Sequence, residues 1–214
     1  MATILCYGDS NTWGCAPMTG WGVPDRFGPD IRWPGVMRSL LGPGHVVVEE
    51  GLNGRTTCHD DPIEGRHKNG EAFLPVALET HQPLDLVILM LGTNDLKARF
   101  GLPPGDIALG AGRLARLARR WEVGPGGEPP RVLLACPAPV ARLTLFSEMF
   151  AGAPETSRRL APLYREVARQ SGAAFVDLGE HIRSSDIDGI HLDADQHQAL
   201  GRAMAEAAAA ALAG

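Results

Sequence analysis

The run LDLVILML, residues 84–91, is apolar at nearly every position. A strand with one wet face alternates apolar and polar side chains. A run without alternation predicts a central strand covered on both sides. Four shorter runs share its character: TILCY (3–7), VVVEE (46–50), RVLLAC (131–136) and AAFVDL (173–178). Helical spacing of apolar residues fills the gaps, at about 33–41, 70–81, 104–121, 155–171 and 194–212. Pro34 and Pro104 suit first-turn positions, and Asp193 is placed to cap the last helix. Strands alternating with helices predict an α/β fold, a parallel sheet with helices on both faces. The stretch GPGGEPP (124–130) reads as a turn before the fourth strand.

At 214 residues the chain fills one core and is short for two, so a single domain over 1–214 is expected. A formal net charge of −5 argues against a nucleic-acid partner, which needs a basic face. No apolar run reaches the roughly 20 residues of a membrane span, so no membrane partner is expected. The first strand begins at residue 2 or 3 and leaves no room for a secretory leader, which predicts a cytoplasmic protein. The four cysteines, Cys6, Cys15, Cys58 and Cys136, form no C-x-x-C pair. Free thiols are expected, with Cys6 and Cys136 as small core residues.

In a parallel sheet every strand's carboxyl end lies on one edge, where ligands bind. GDSNTWG follows the first strand, GLNGRTT the second, GTNDLK the third, and SSDIDGIHLD comes after the fifth. One rim therefore receives Ser10, Gly54, Asn94, Asp188 and His191. These types suit acyl transfer. A serine hydroxyl needs a base to take its proton, and His191 is the candidate. Asp188, three residues earlier, can bond the other ring nitrogen and fix the tautomer. An oxyanion needs donors: the N–H groups of Ser10 and Gly54 and the amide of Asn94. With an ordinary histidine as base, the rate should fall below a pH near 6.5. Taken singly each block has a plainer reading, as a turn, a cap or a loop before a helix. Their joint occurrence at strand ends favours the catalytic one.

GDS, the glycine of NGRTT, GTND and DGIH together resemble the four blocks of the SGNH, or GDSL-type, serine hydrolases. EEGLNGRTT and PLDLVILMLGTNDLKARF are similar to the bacterial arylesterase and acyltransferase branch. The resemblance runs from residue 4 to past 193. It implies a flavodoxin-like three-layer α/β/α sandwich with a five-stranded parallel sheet. It also implies a serine esterase for small or aryl carboxylic esters that uses no cofactor or metal. Water, or an alcohol in acyl transfer, is the implied acceptor, and the assembly is expected to be a homo-oligomer. Asn11 stands where the GDSL name has leucine. Cys15 stands where the branch implies a bulky aromatic, which predicts a wider pocket. Asp9, Trp13, Thr93, Lys97, Phe146, Phe150 and Ile190 join Cys15 as candidate substrate-binding residues.

Other features need weighing. CHDDP (58–62) groups a thiol, an imidazole and two carboxylates. Sequential neighbours rarely converge on one ion, so a solvated loop is expected. Asp95 should hold its own loop together. Lys97 is balanced between the rim and a plain surface position. VARLTLFSEMF (140–150) is apolar at helical spacing and should cover the pocket with Phe146 and Phe150, or pack at a subunit contact. Two other functions compete: a carbohydrate O-deacetylase with a more polar pocket, and a flavodoxin-like receiver or binding domain with Asp9 as phosphoacceptor. A receiver needs a lysine at a later strand end, and only Lys68 and Lys97 exist.

Overall fold

The computed structural model describes residues 1–214. In chain order the elements are β1 (Ala2–Gly8), α1 (Ser10–Trp13), α2 (Trp33–Leu41), β2 (His45–Gly51), α3 (Gly70–Thr80) and β3 (Leu86–Met90). They continue with α4 (Pro104–Ala118), β4 (Arg131–Cys136), α5 (Ala153–Ser157), α6 (Leu160–Ser171), β5 (Ala174–Asp177) and α7 (Ala194–Ala213). The five strands form one parallel sheet in the order β2-β1-β3-β4-β5. All of β3 is buried, as its unbroken apolar run requires.

The two-residue period of a strand divides the core between the faces. Leu5, Tyr7, Val87, Leu89, Val132 and Leu134 pack with Leu74, Ile107, Leu114 and Tyr164 of α3, α4 and α6. Ile4, Cys6, Leu86, Ile88, Leu133 and Ala135 pack with Trp33, Met37, Leu200 and Met204 of α2 and α7. The pairs Ile4↔Leu86 and Leu5↔Val87 keep the faces in register. A slip of one residue would send each set to the wrong helix layer. From β1 the chain moves outward to β2, then crosses to β3 on the other side. The strand ends of β1 and β3 therefore flank the crevice where the winding reverses, the place where such sheets bind ligands.

Three expectations need correction. The helix expected over 155–171 is two helices, α5 and α6. At the end of the first, Ser157 Oγ accepts from Val140 N at 3.0 Å and ties down the loop after β4. The segment 140–150 is not a helix but a series of turns. Its first residues bond outside the segment: Ala141 N donates to Gly189 O at 2.9 Å, and the Thr144 side chain donates through Oγ1 to Ile187 O at 2.5 Å. Asp193 stands at the start of α7, but its carboxylate accepts from Ser185 Oγ at 3.0 Å rather than from the helix. No helix is long and apolar enough to cross a membrane.

Candidate active site

Strand β1 ends in a close approach. A Cβ on Gly8 would sit 2.1 Å from Thr12 Oγ1, so only glycine lets α1 fold back over the strand end. Asp9 then caps α1, its Oδ1 accepting from Asn11 N at 3.0 Å. Ser10 becomes the first residue of α1, a position whose backbone N–H has no acceptor within the helix. In the loop after β2, Gly54 takes a φ of +81°, and a Cβ there would lie 2.3 Å from Glu64 Oε2. After β3, Asn94 Nδ2 donates to Arg55 O at 3.2 Å, and the same amide carries a second hydrogen.

The loop before α7 is organised around Asp188, which has no exposed surface. Its Oδ1 accepts from the backbone N–H of Ile190 and of His191, each at 2.9 Å. Its Oδ2 accepts from Met18 N at 2.8 Å and from His191 Nδ1 at 2.7 Å. A carboxylate only accepts, so Nδ1 carries a proton and Nε2 is the nitrogen that gains or loses the second one. Burial raises the Asp188 pKa, but these bonds outweigh it and hold the group below the usual carboxylate range. Burial lowers His191, and the bonds to Asp188 and Cys15 reverse that, raising it to about 9. The acid limit expected near 6.5 therefore moves upward.

Ser10, Gly54, Asn94 and His191 line one cleft of about 280 Å³, together with Cys15, Lys97, Phe146, Phe150 and Ile190. Three of the substrate-binding candidates do not reach it. Asp9 and Thr93 border a separate space of about 10 Å³ behind the serine loop, because the Asp9 carboxylate is turned back to cap α1. Burial raises Asp9 to about 6. Capped and buried, it is not presented as a phosphoacceptor. Trp13 lies outside the cleft, because Arg26, on the segment bridged to Cys15, covers its ring at 4.9 Å and donates to its carbonyl at 2.7 Å.

Lys97 is not a surface lysine: it is 2% exposed. Its Nζ pairs with Glu64 and, at 3.3 Å, with Asp61, while Arg99 Nη1 reaches Asp61 Oδ1 at 3.0 Å. Asp61 is therefore buried, the one departure from the solvated loop expected for CHDDP, in which Asp60 and Pro62 are exposed. Burial raises its pKa, but the N–H groups of Glu64 and Ile63, with both cations, bring it to about 2. Asp95 reaches beyond its own loop, accepting from Thr57 N at 2.9 Å.

Some residues were not legible as site residues. Trp21, Met18 and Glu64 line the cleft. Arg55 is buried over the Tyr7 ring at 4.0 Å, donates to Gly8 O at 3.0 Å, and so braces Gly54 and Asn94 against β1. The available signals were weak: an aromatic between two glycines, and an arginine directly after Gly54.

Residues 6–199 match the GDSL-like Lipase/Acylhydrolase family. The chain belongs to that family. It is similar to the native aryl esterase of M. smegmatis, at 40% identity over 99% of this chain and 100% of that one, with a TM-score of 0.94. It is equally similar to Est24, a carbohydrate acetylesterase from Sinorhizobium meliloti, at 41% identity over 98% and 99% of the two chains, TM-score 0.94. No curated protein matches it. The five-stranded sheet is that of the SGNH hydrolases, and the chain is a carboxylic ester hydrolase.

Proposed function

We propose that Ser10, His191 and Asp188 are the catalytic triad, with the N–H groups of Ser10 and Gly54 and the Asn94 amide as the oxyanion hole. The observation that carries this is the 2.7 Å Asp188–His191 bond, on a histidine sharing one cleft with Ser10, Gly54 and Asn94. Nε2 of His191 takes the Ser10 proton as Oγ attacks the ester carbonyl. The three donors hold the negative oxygen of the tetrahedral intermediate. His191 passes its proton to the departing alcohol, leaving an ester on Ser10. It then deprotonates the acceptor that releases the acid. The scheme draws on no cofactor or metal.

The substrates we infer are small or aryl esters, supported by the apolar side chains of Met18, Phe146 and Phe150 in the cleft. Lys97 and Glu64, which line the same cleft, with the likeness to Est24, support acetylated carbohydrates as a second class. A panel of aryl and sugar acetates separates the two. Acyl transfer to alcohols follows where an acceptor alcohol outcompetes water in the same cleft. Four free cysteines fit a cytoplasmic setting. Ser10→Ala should abolish ester hydrolysis with Tm unchanged; a stable variant with wild-type turnover would exclude the assignment.

A further inference from the structure

We infer that Trp21 is a specificity-determining residue of the leaving-alcohol subsite, where it selects flat aromatic alcohols. The inference rests on His191 as the proton carrier proposed above. His191 gives its proton to the alcohol oxygen as the C–O bond breaks, so the alcohol lies against whatever packs beside the imidazole. That neighbour is Phe146, edge-on to His191 with ring centroids 5.9 Å apart. Phe146 in turn meets Trp21 edge-on at 5.4 Å and 88°. Trp21, Phe146 and His191 thus form a run of aromatic rings from the cleft mouth to the point of proton transfer.

The two outer rings differ in exposure. Phe146 is 7% exposed, whereas Trp21 is 67% exposed although it lines the cleft. A ring that size in water has apolar area left to bury, and a flat apolar guest covers it with favourable ring geometry. Cβ atoms built on Gly20 and Gly22 would meet nothing within 4 Å. The backbone on both sides of the indole is therefore unpacked, and the ring can settle onto its guest. The charged side chains of the cleft, Lys97 and Glu64, offer no such surface.

Deacylation uses the same subsite in reverse. An acceptor alcohol gives its proton to His191, its oxygen bonds to the acyl carbon, and Ser10 Oγ leaves and recovers the proton. Trp21 must therefore act on both halves of the reaction.

The test compares wild type, Trp21→Ala and Trp21→Phe on 2-naphthyl acetate and ethyl acetate, which share one acyl-enzyme. The naphthyl-to-ethyl ratio of kcat/KM should fall about three- to tenfold in Trp21→Ala, the range of one aromatic contact, and be largely kept in Trp21→Phe. Partitioning of the acetyl-enzyme to benzyl alcohol over water should fall in parallel, while methanol partitioning holds. Equal losses on both acetates, or an unchanged ratio, would overturn the role of Trp21. Failure of the underlying triad would appear separately, as turnover by Ser10→Ala.

Discussion

The two walls of the cleft both carry buried charge and use it differently. On one, Asp188 occupies Nδ1 of His191 and leaves Nε2 as the ring nitrogen that gains or loses a proton, on a histidine that lines the serine's cleft. On the other, Lys97 is enclosed by Glu64 and Asp61, and Asp61 is held again by Arg99. The first wall keeps a group able to change its protonation. The second spends every charge on another charge. Burial and charge alone therefore do not mark a catalytic group; what marks it is an atom left free to exchange a proton.

The sharpest way to break the comparison is Asp188→Asn. It leaves the wrong histidine tautomer facing the serine, and kcat should fall by about 10⁴-fold. The sign of the pH effect is fixed by the base, which works only when neutral. In the wild type kcat/KM should decline as pH falls through a value above 6.5, toward about 9, because the bonds to Asp188 and Cys15 raise His191. In Asp188→Asn that limb should move to lower pH. A pH–rate profile of both proteins checks it, and coincident limbs would place the orienting charge elsewhere.

Lys97→Met tests the other wall through stability rather than rate. Removing one partner of a buried pair leaves the other uncompensated, at about 3–5 kcal/mol. Arg99 remains on Asp61, so the low end, about 3 kcal/mol, is expected. Urea unfolding measures it. A variant as stable as wild type but inactive would mean that Lys97 works on substrate.

Asn94→Ala belongs to the catalytic wall but removes only one of three oxyanion donors. A kcat loss of about 10²–10³-fold with little change in KM is expected. A rise confined to KM would make Asn94 a ground-state binder. The smallest effect should come from Trp13→Phe, since Arg26 rather than substrate covers that ring. Alcohol selectivity measured with the naphthyl and ethyl acetates should stay at the wild-type value, in contrast to Trp21.

Local periodicity and chain order were enough for the α/β class, the five strands and the rim loops that carry Ser10, Gly54, Asn94, Asp188 and His191. Such features depend on near neighbours: an apolar run long enough for a covered strand, a glycine where the chain must turn. Strand ends came within one or two residues for the same reason. The irregular segments were different. The apolar spacing over 140–150 looks helical, but Val140 N, Ala141 N and Thr144 Oγ1 are drawn away to Ser157, Gly189 and Ile187. Trp13 and Trp21 are the same residue type and near in sequence, yet Arg26 covers one ring while the other meets Phe146 edge-on and stays largely exposed. Lys97 reads equally as a rim or a surface residue until Asp61 and Glu64 close over it. In a strand the backbone period sets where a side chain points. In a loop that direction is set by partners far along the chain, as with Met18 and Asp188, 170 residues apart, and only the tertiary structure brings those partners together.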